Sequence, residues 1–135
     1  MKKTVIGIIG LLILVGMSAS AAELPAKDGE IIKAAGISIH PDITFVYGTQ
    51  DVGYRFVTAK SPEEIRQWYR ENLPEWSLMD KYGSWILYKG EEGLGMGELM
   101  SKPQVAIQKN DNLPEWHSLD KGLTTEVVFM IPTGD

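Results

Sequence analysis

The sequence predicts an α+β domain: one main helix, about residues 62–73, packed on an antiparallel sheet of about five strands. Three observations lead there. A strongly capped amphipathic segment, "SPEEIRQWYRENLP", stands alone in the middle of the chain. Alternating apolar runs lie before and after it. The order they give, strand, helix, then four strands, is that of an antiparallel sheet with a helix laid across it rather than of repeating βαβ units.

The elements follow in chain order. Residues 23–30, "ELPAKDGE", read as a loose polar leader, and "GEIIKAAG" as a short helix closed by Gly36, since glycine is favoured past a helix C-terminus. "ISIHPDITFVYG" is interrupted by Pro41 and reads as an edge or irregular extended segment. In "VGYRFVTA", Tyr54, Phe56 and Thr58 share one face and Arg55, Val57 and Ala59 the other, as in a strand. The helix begins at Ser61, an N-cap completed into a capping box by Glu64, with Pro62 at the first helical position. Ile65, Trp68, Tyr69 and Leu73 form its apolar stripe, Glu63, Arg66, Gln67 and Arg70 cover the other side, and Pro74 ends it. Next come a hairpin from "WSLMDK" and "WILYKG" turning at "YGS", a glycine-rich loop "GEEGLGMGE", the strand "QVAIQK", and a last strand "TTEVVFMIP" with Thr125, Val127, Phe129 and Ile131 on one face.

That sheet is apolar on both faces. Trp85 and Leu87 alternate with Ile86 and Tyr88, and Val128 and Met130 occupy the second face of the last strand. One helix covers one side, so either the N-terminal segment 24–47 crosses the opposite face or another protein does. The apolar side chains of "IIKAAGISI" and "ITFVYG" suit that segment to the task.

The first residues set an expectation of export. Lys2 and Lys3, the apolar run "TVIGIIGLLILVGM" and the small residues "SASAA" have the three-part form of a secretory signal peptide over 1–22, cleaved after Ala21 or Ala22. The apolar run is 14 residues, short of the roughly 20 that span a bilayer, so no stable membrane anchor is expected after cleavage. The location expected is the periplasm or the exterior, with 23–135 as a single domain. The 135-residue chain contains no cysteine, which excludes disulfides and lipid attachment through one. Loss of Lys2 and Lys3 would leave 11 basic against 18 acidic residues, a net charge of −7. Such a balance argues against nucleic acid as a partner.

With "HPDITFV" followed by "VTAKSPEEIRQWYRENLPEW" and a hairpin, residues 40–90 resemble a family of small bacterial periplasmic or secreted proteins of uncharacterised role. In that family a "YPGA"-like segment and strand precede a helix of the type S-P-E-E-I/V-x-x-W/F-Y-x-x-x-L-P-x-W, which leads into an antiparallel sheet. His40 and Asp42 stand where tyrosine and glycine are usual. The shared residues are caps and packing residues, so the resemblance implies a fold and no activity.

The chemistry-bearing residues are sparse. No serine sits in a G-x-S-x-G elbow, and only His40 and His117 could serve as bases, so no catalytic residue is assigned and an enzyme is not expected. His40 with Asp42, and His117 with Asp120, lack the density of a metal site; Met96 and Met100 are ligand types for a soft metal but read better as packing residues. No metal or other cofactor is called for. The glycine-rich loop has no lysine for phosphate and carries Glu91, Glu92 and Glu98, which would repel it; a long mobile connection able to bind a partner is the better reading.

The most distinctive feature is a repeat. "ENLPEWSLMDK" from Glu71 and "DNLPEWHSLDK" from Asp111 agree at seven of eleven positions. Exposed together, Trp76 and Trp116 with Glu75 and Glu115 would offer two indole platforms and two carboxylates to a glycan or a cationic group. Packed inward, each tryptophan instead plugs the sheet edge. The function expected is a cell-envelope binding or accessory protein whose partner is an envelope protein or a peptidoglycan glycan, with a homodimer also open. An inhibitor or immunity protein against an envelope-targeting enzyme is the alternative, since such enzymes are often basic. A hydrolase using Glu75, Glu115, Asp80 or Asp120 as paired carboxylates is the reading from another class.

Overall fold

A computed structural model describes residues 23–110 and 122–133. The segment 1–22, expected to be a signal peptide, and the whole second repeat, with Glu115, Trp116, His117 and Asp120, lie outside the described residues. The described chain contains α1 (Ala26–Ala34), β1 (Thr44–Thr49), β2 (Gly53–Thr58), α2 (Pro62–Asn72), β3 (Ser77–Lys81), β4 (Ser84–Tyr88), α3 (Met96–Leu99), β5 (Gln104–Lys109) and β6 (Thr125–Met130). All six strands form one antiparallel sheet in the order β1-β2-β6-β5-β4-β3. This is the expected α+β architecture. The sixth strand is β1, which lies at the sheet edge and slips register between Phe45 and Tyr47, matching its irregular reading.

The helix α2 forms as its sequence dictates. The Ser61 hydroxyl accepts the Glu64 N–H at 3.1 Å, and Pro62 opens the first turn. Ile65, Tyr69 and Leu73 are buried against the sheet, with Trp68 half-buried beside them. Arg66, assigned to the solvent face, turns inward at its tip. Its Nε and Nη2 donate to the Ile107 carbonyl at 3.3 and 2.9 Å, and its guanidinium lies 5.4 Å from the Trp85 ring centre. The β4–β5 ladder stops at Ile86 and Ala106, so the arginine supplies a donor where the neighbouring strand no longer does.

The N-terminal segment corrects two expectations. Helix begins at Ala26, so five of the eight residues read as a leader belong to α1. That helix does not cross the opposite face: Ile32 and Ile37 join Ile65, Tyr69, Phe56 and Phe129 in the core on the side of α2. Width explains it. Six strands at about 4.8 Å spacing span about 24 Å, while a helix with its side chains is about 10 Å across, so one face takes two helices. Tyr54 and Tyr69 fasten the arrangement. Tyr54 Oη donates to Asp28 Oδ1 at 2.7 Å, and Tyr69 Oη donates to the Ser38 carbonyl at 2.8 Å while accepting the His40 N–H at 3.2 Å.

The connection between β4 and β5 lies against the opposite face instead. Tyr88 and Gln104 point there. Tyr88 Oη donates to the Glu91 carbonyl at 2.8 Å, Gln104 Nε2 donates to the Leu99 carbonyl at 3.0 Å, and Leu99 is buried. The loop expected to be a mobile link thus contains a helical turn, α3, held down by buried side chains. Elsewhere on this face long polar side chains lie among Val57 and Val128: Arg55 pairs with Glu126 at 2.9 Å, and Gln108 Nε2 donates to the same carboxylate at 2.9 Å.

Candidate functional site

Of the four residues singled out in the repeat, two are described, and the structure does not present them as a platform. Trp76 is half-buried and packs against the core cluster, its indole edge close over Gly36 at the end of α1. Glu75 is exposed in the turn before β3. Glu115 and Trp116 lie outside the described residues. Of the carboxylates considered for hydrolysis, Glu75 and Asp80 are both exposed, one in that turn and one on an edge strand, and neither lines either of the two pockets described below.

The residues best placed to meet a partner belong to the β4–β5 connection. Between Lys89 and Lys102 it exposes Glu91, Glu92 and Glu98, with Met96 51% and Met100 56% exposed. Large apolar side chains left half in water on an otherwise polar loop suggest a contact surface. The loop is nevertheless fixed at its base. Ser77 Oγ donates to the Gly90 carbonyl at 2.7 Å, Tyr88 holds Glu91, and Leu99 and Gln104 hold the far end. Gly93 adopts φ 83°, a backbone region costly to other residues, and so lets the connection fold back over the sheet.

Beside this loop is a pocket of about 290 Å³ lined by Gln50, Asp51, Met100, Met130, Ile131 and Pro132 among others. Three elements meet there: the β1–β2 turn, the end of α3 and the chain leaving β6. Gln50 Nε2 donates to the Pro132 carbonyl at 2.9 Å, tying two of them together. Thioethers and aliphatic carbons form much of the wall, and the Asp51 carboxylate is exposed. Such a pocket suits a lysine or arginine, whose stem is apolar and whose head is charged.

A second groove, of about 570 Å³, opens at the start of α2 and includes Asp42, Thr44, Thr58, Lys60, Glu64 and Leu123. Lys60 Nζ stands 3.6 Å from Asp42 and 3.9 Å from Glu64, so one ammonium balances both carboxylates. His40, next to this groove in sequence, is a structural residue. It is buried, its Nδ1 accepts the Asp42 N–H at 2.8 Å, and its ring meets Trp68 edge-on at 4.7 Å.

Among the described residues, the two titratable groups displaced most from their ordinary values are also structural. Burial pushes the Tyr69 phenol up, against a small opposing effect of the His40 N–H. Burial likewise raises Tyr54, helped by its hydrogen bond to Asp28 and by the negative charges of Asp28 and Asp51. Both phenols stay protonated as hydrogen-bond donors. Among the described residues no group of three or more histidine, aspartate or glutamate side chains could hold a metal ion, and no helix is long and apolar enough to cross a membrane.

Comparison with protein-family models, curated proteins and solved structures found no match to the chain. The site is therefore defined by its own chemistry: an acidic, methionine-bearing loop fixed on one face of a six-stranded antiparallel sheet, beside a pocket that carries a carboxylate. The loop was singled out in the sequence for its glycines and glutamates. Its second wall was missed, because Gln50 and Asp51 lie 40 to 50 residues upstream and no local pattern joins them to Met100.

Proposed function

We propose that this protein is exported to the cell envelope and acts by binding, docking a basic protein partner on the acidic β4–β5 connection. The observation that carries the reading is one of contrast. The connection is fixed at both ends by buried contacts, yet it leaves Glu91, Glu92, Glu98, Met96 and Met100 in solvent beside the pocket that contains Asp51. A fixed loop loses little conformational freedom on binding, so more of the contact energy goes into affinity. The glutamates steer a cationic partner and fix its orientation, while the methionines and the pocket take an aliphatic stem. A net charge of −7 after loss of the first 22 residues adds a long-range attraction of the same sign.

The partner class this favours is a basic envelope enzyme, such as a peptidoglycan hydrolase, which the protein would inhibit or accompany. The glycan reading has less support, because Trp76 packs on the core. The test is a binding measurement between the purified protein and a panel of basic peptidoglycan hydrolases, with an acidic protein as control. At least one basic enzyme should bind, more weakly as salt rises, and a triple variant with Glu91→Gln, Glu92→Gln and Glu98→Gln should bind at least about tenfold more weakly. No binding to any basic enzyme, or unchanged affinity in the triple variant, would sink the idea. Co-sedimentation with purified peptidoglycan, unaffected by the triple variant, would favour the glycan instead.

A further inference from the structure

The two edges of the sheet are unequal. At one edge, β1 is bulged at Phe45/Tyr47 and turns through Gly48 at φ 130°, devices that discourage pairing with another strand. At the other, β3 runs without a bulge or proline, in register with β4 at all five positions from Ser77↔Tyr88 to Lys81↔Ser84. Among the described residues β3 pairs with no other strand.

The turn decides which backbone groups are left over. Tyr82 (φ 54°) and Gly83 (φ 77°) form a two-residue hairpin loop with both residues left-handed, so the flanking pair Lys81/Ser84 exchanges hydrogen bonds. Alternation then directs Lys81, Met79 and Ser77 toward β4. The N–H and C=O groups of Leu78 and Asp80 point away from the sheet. Trp76 offers no donor in continuation, because its N–H already bonds the Leu73 carbonyl at 3.1 Å.

We propose that β3 pairs antiparallel with β3 of a second copy of this chain, with Met79 opposite Met79 and Leu78 opposite Asp80. That register satisfies all four outward groups of each copy with those of the other. Its neighbours are worse. Centring on Asp80 sets two carboxylates opposite one another, and centring on Leu78 pairs Asp80 with Trp76, whose N–H is spent. The sheet then continues across a twofold axis as twelve strands, with the half-buried Met79 side chains meeting on one face. The same register carries Tyr82 to the end of the second copy's strand, where Trp76 stands. Tyr82 is 91% exposed and sits in a left-handed conformation that a bulky residue adopts only at a cost. Asparagine or glycine would make this turn more easily, and contact with a neighbouring copy gives the tyrosine a use.

The contact is small, so the dimer is weak and visible at high concentration. Sedimentation equilibrium of the purified protein should show monomer at about 1 µM and dimer approaching about 1 mM. Asp80→Pro removes one outward N–H without touching a bond to β4, and should leave a monomer throughout with the wild-type melting temperature. Hydrogen exchange on the wild type supplies a readout that needs no variant: the Leu78 and Asp80 amides should slow as concentration rises, while Val52 in the β1–β2 turn does not. A monomer at about 1 mM, a dimer that survives in folded Asp80→Pro, or exchange at Leu78 and Asp80 independent of concentration would overturn the proposal.

Discussion

Tyr69 does more for this fold than its place in an apolar stripe suggests. Its ring is fully buried, and its hydroxyl donates to Ser38 and accepts from His40, holding the chain between α1 and β1 against α2. Tyr69→Phe keeps the ring but strands the buried His40 N–H and removes the donor to the Ser38 carbonyl, so denaturant unfolding should show a loss of about 1–3 kcal/mol. Trp76→Ala should likewise destabilise, by roughly 1–3 kcal/mol, because the indole packs on Gly36 and the core. A melting temperature unchanged by that substitution would return Trp76 to the surface. The identity of both residues as large aromatics at structural boundaries was plain in the sequence. Their partners were not: Ser38 is 31 residues from Tyr69, and Gly36 is 40 from Trp76, separations no periodicity reports.

Local patterns placed the elements whose causes are local. The Ser61 cap, the Pro62 start and the Pro74 stop located α2 to within a residue, and the alternation in β2 and β6 sorted their side chains onto the two faces of the sheet. The edge strand β1 was harder to place, because its irregularity depends on a partner. Gly48 sits so close to β2 that a β-carbon there would collide with the Gly53 carbonyl oxygen, at a φ that L-residues rarely adopt. Gly48→Ala should therefore cost about 1–3 kcal/mol in a thermal or denaturant melt and loosen the β1 edge in hydrogen exchange. The second face was the larger misjudgement. Its cover comes from the glycine-rich connection through Tyr88, Leu99 and Gln104, and a loop rich in glycine and glutamate shows no apolar period to announce that role.

At the scale of the whole molecule, two helices fill one face of the sheet, while the other carries the acidic connection proposed above to meet a partner. The helix-covered side has an alkaline limit. Tyr54 and Tyr69 are both held protonated above their ordinary value of about 10, so the unfolded chain loses those protons first. Their contribution is complete below about pH 10 and is lost as pH rises beyond it. The melting temperature should fall steeply there, and less steeply in Tyr69→Phe. The other side carries the central claim, tested most directly by amide chemical shifts of the protein titrated with a basic peptidoglycan hydrolase that it binds. Shifts should concentrate at residues 91–100 and at Gln50 and Asp51, and the Glu91→Gln, Glu92→Gln, Glu98→Gln variant should need at least about tenfold more enzyme to reach them. Shifts centred instead on Asp42, Lys60 and Glu64, or on Trp76, would contradict that claim.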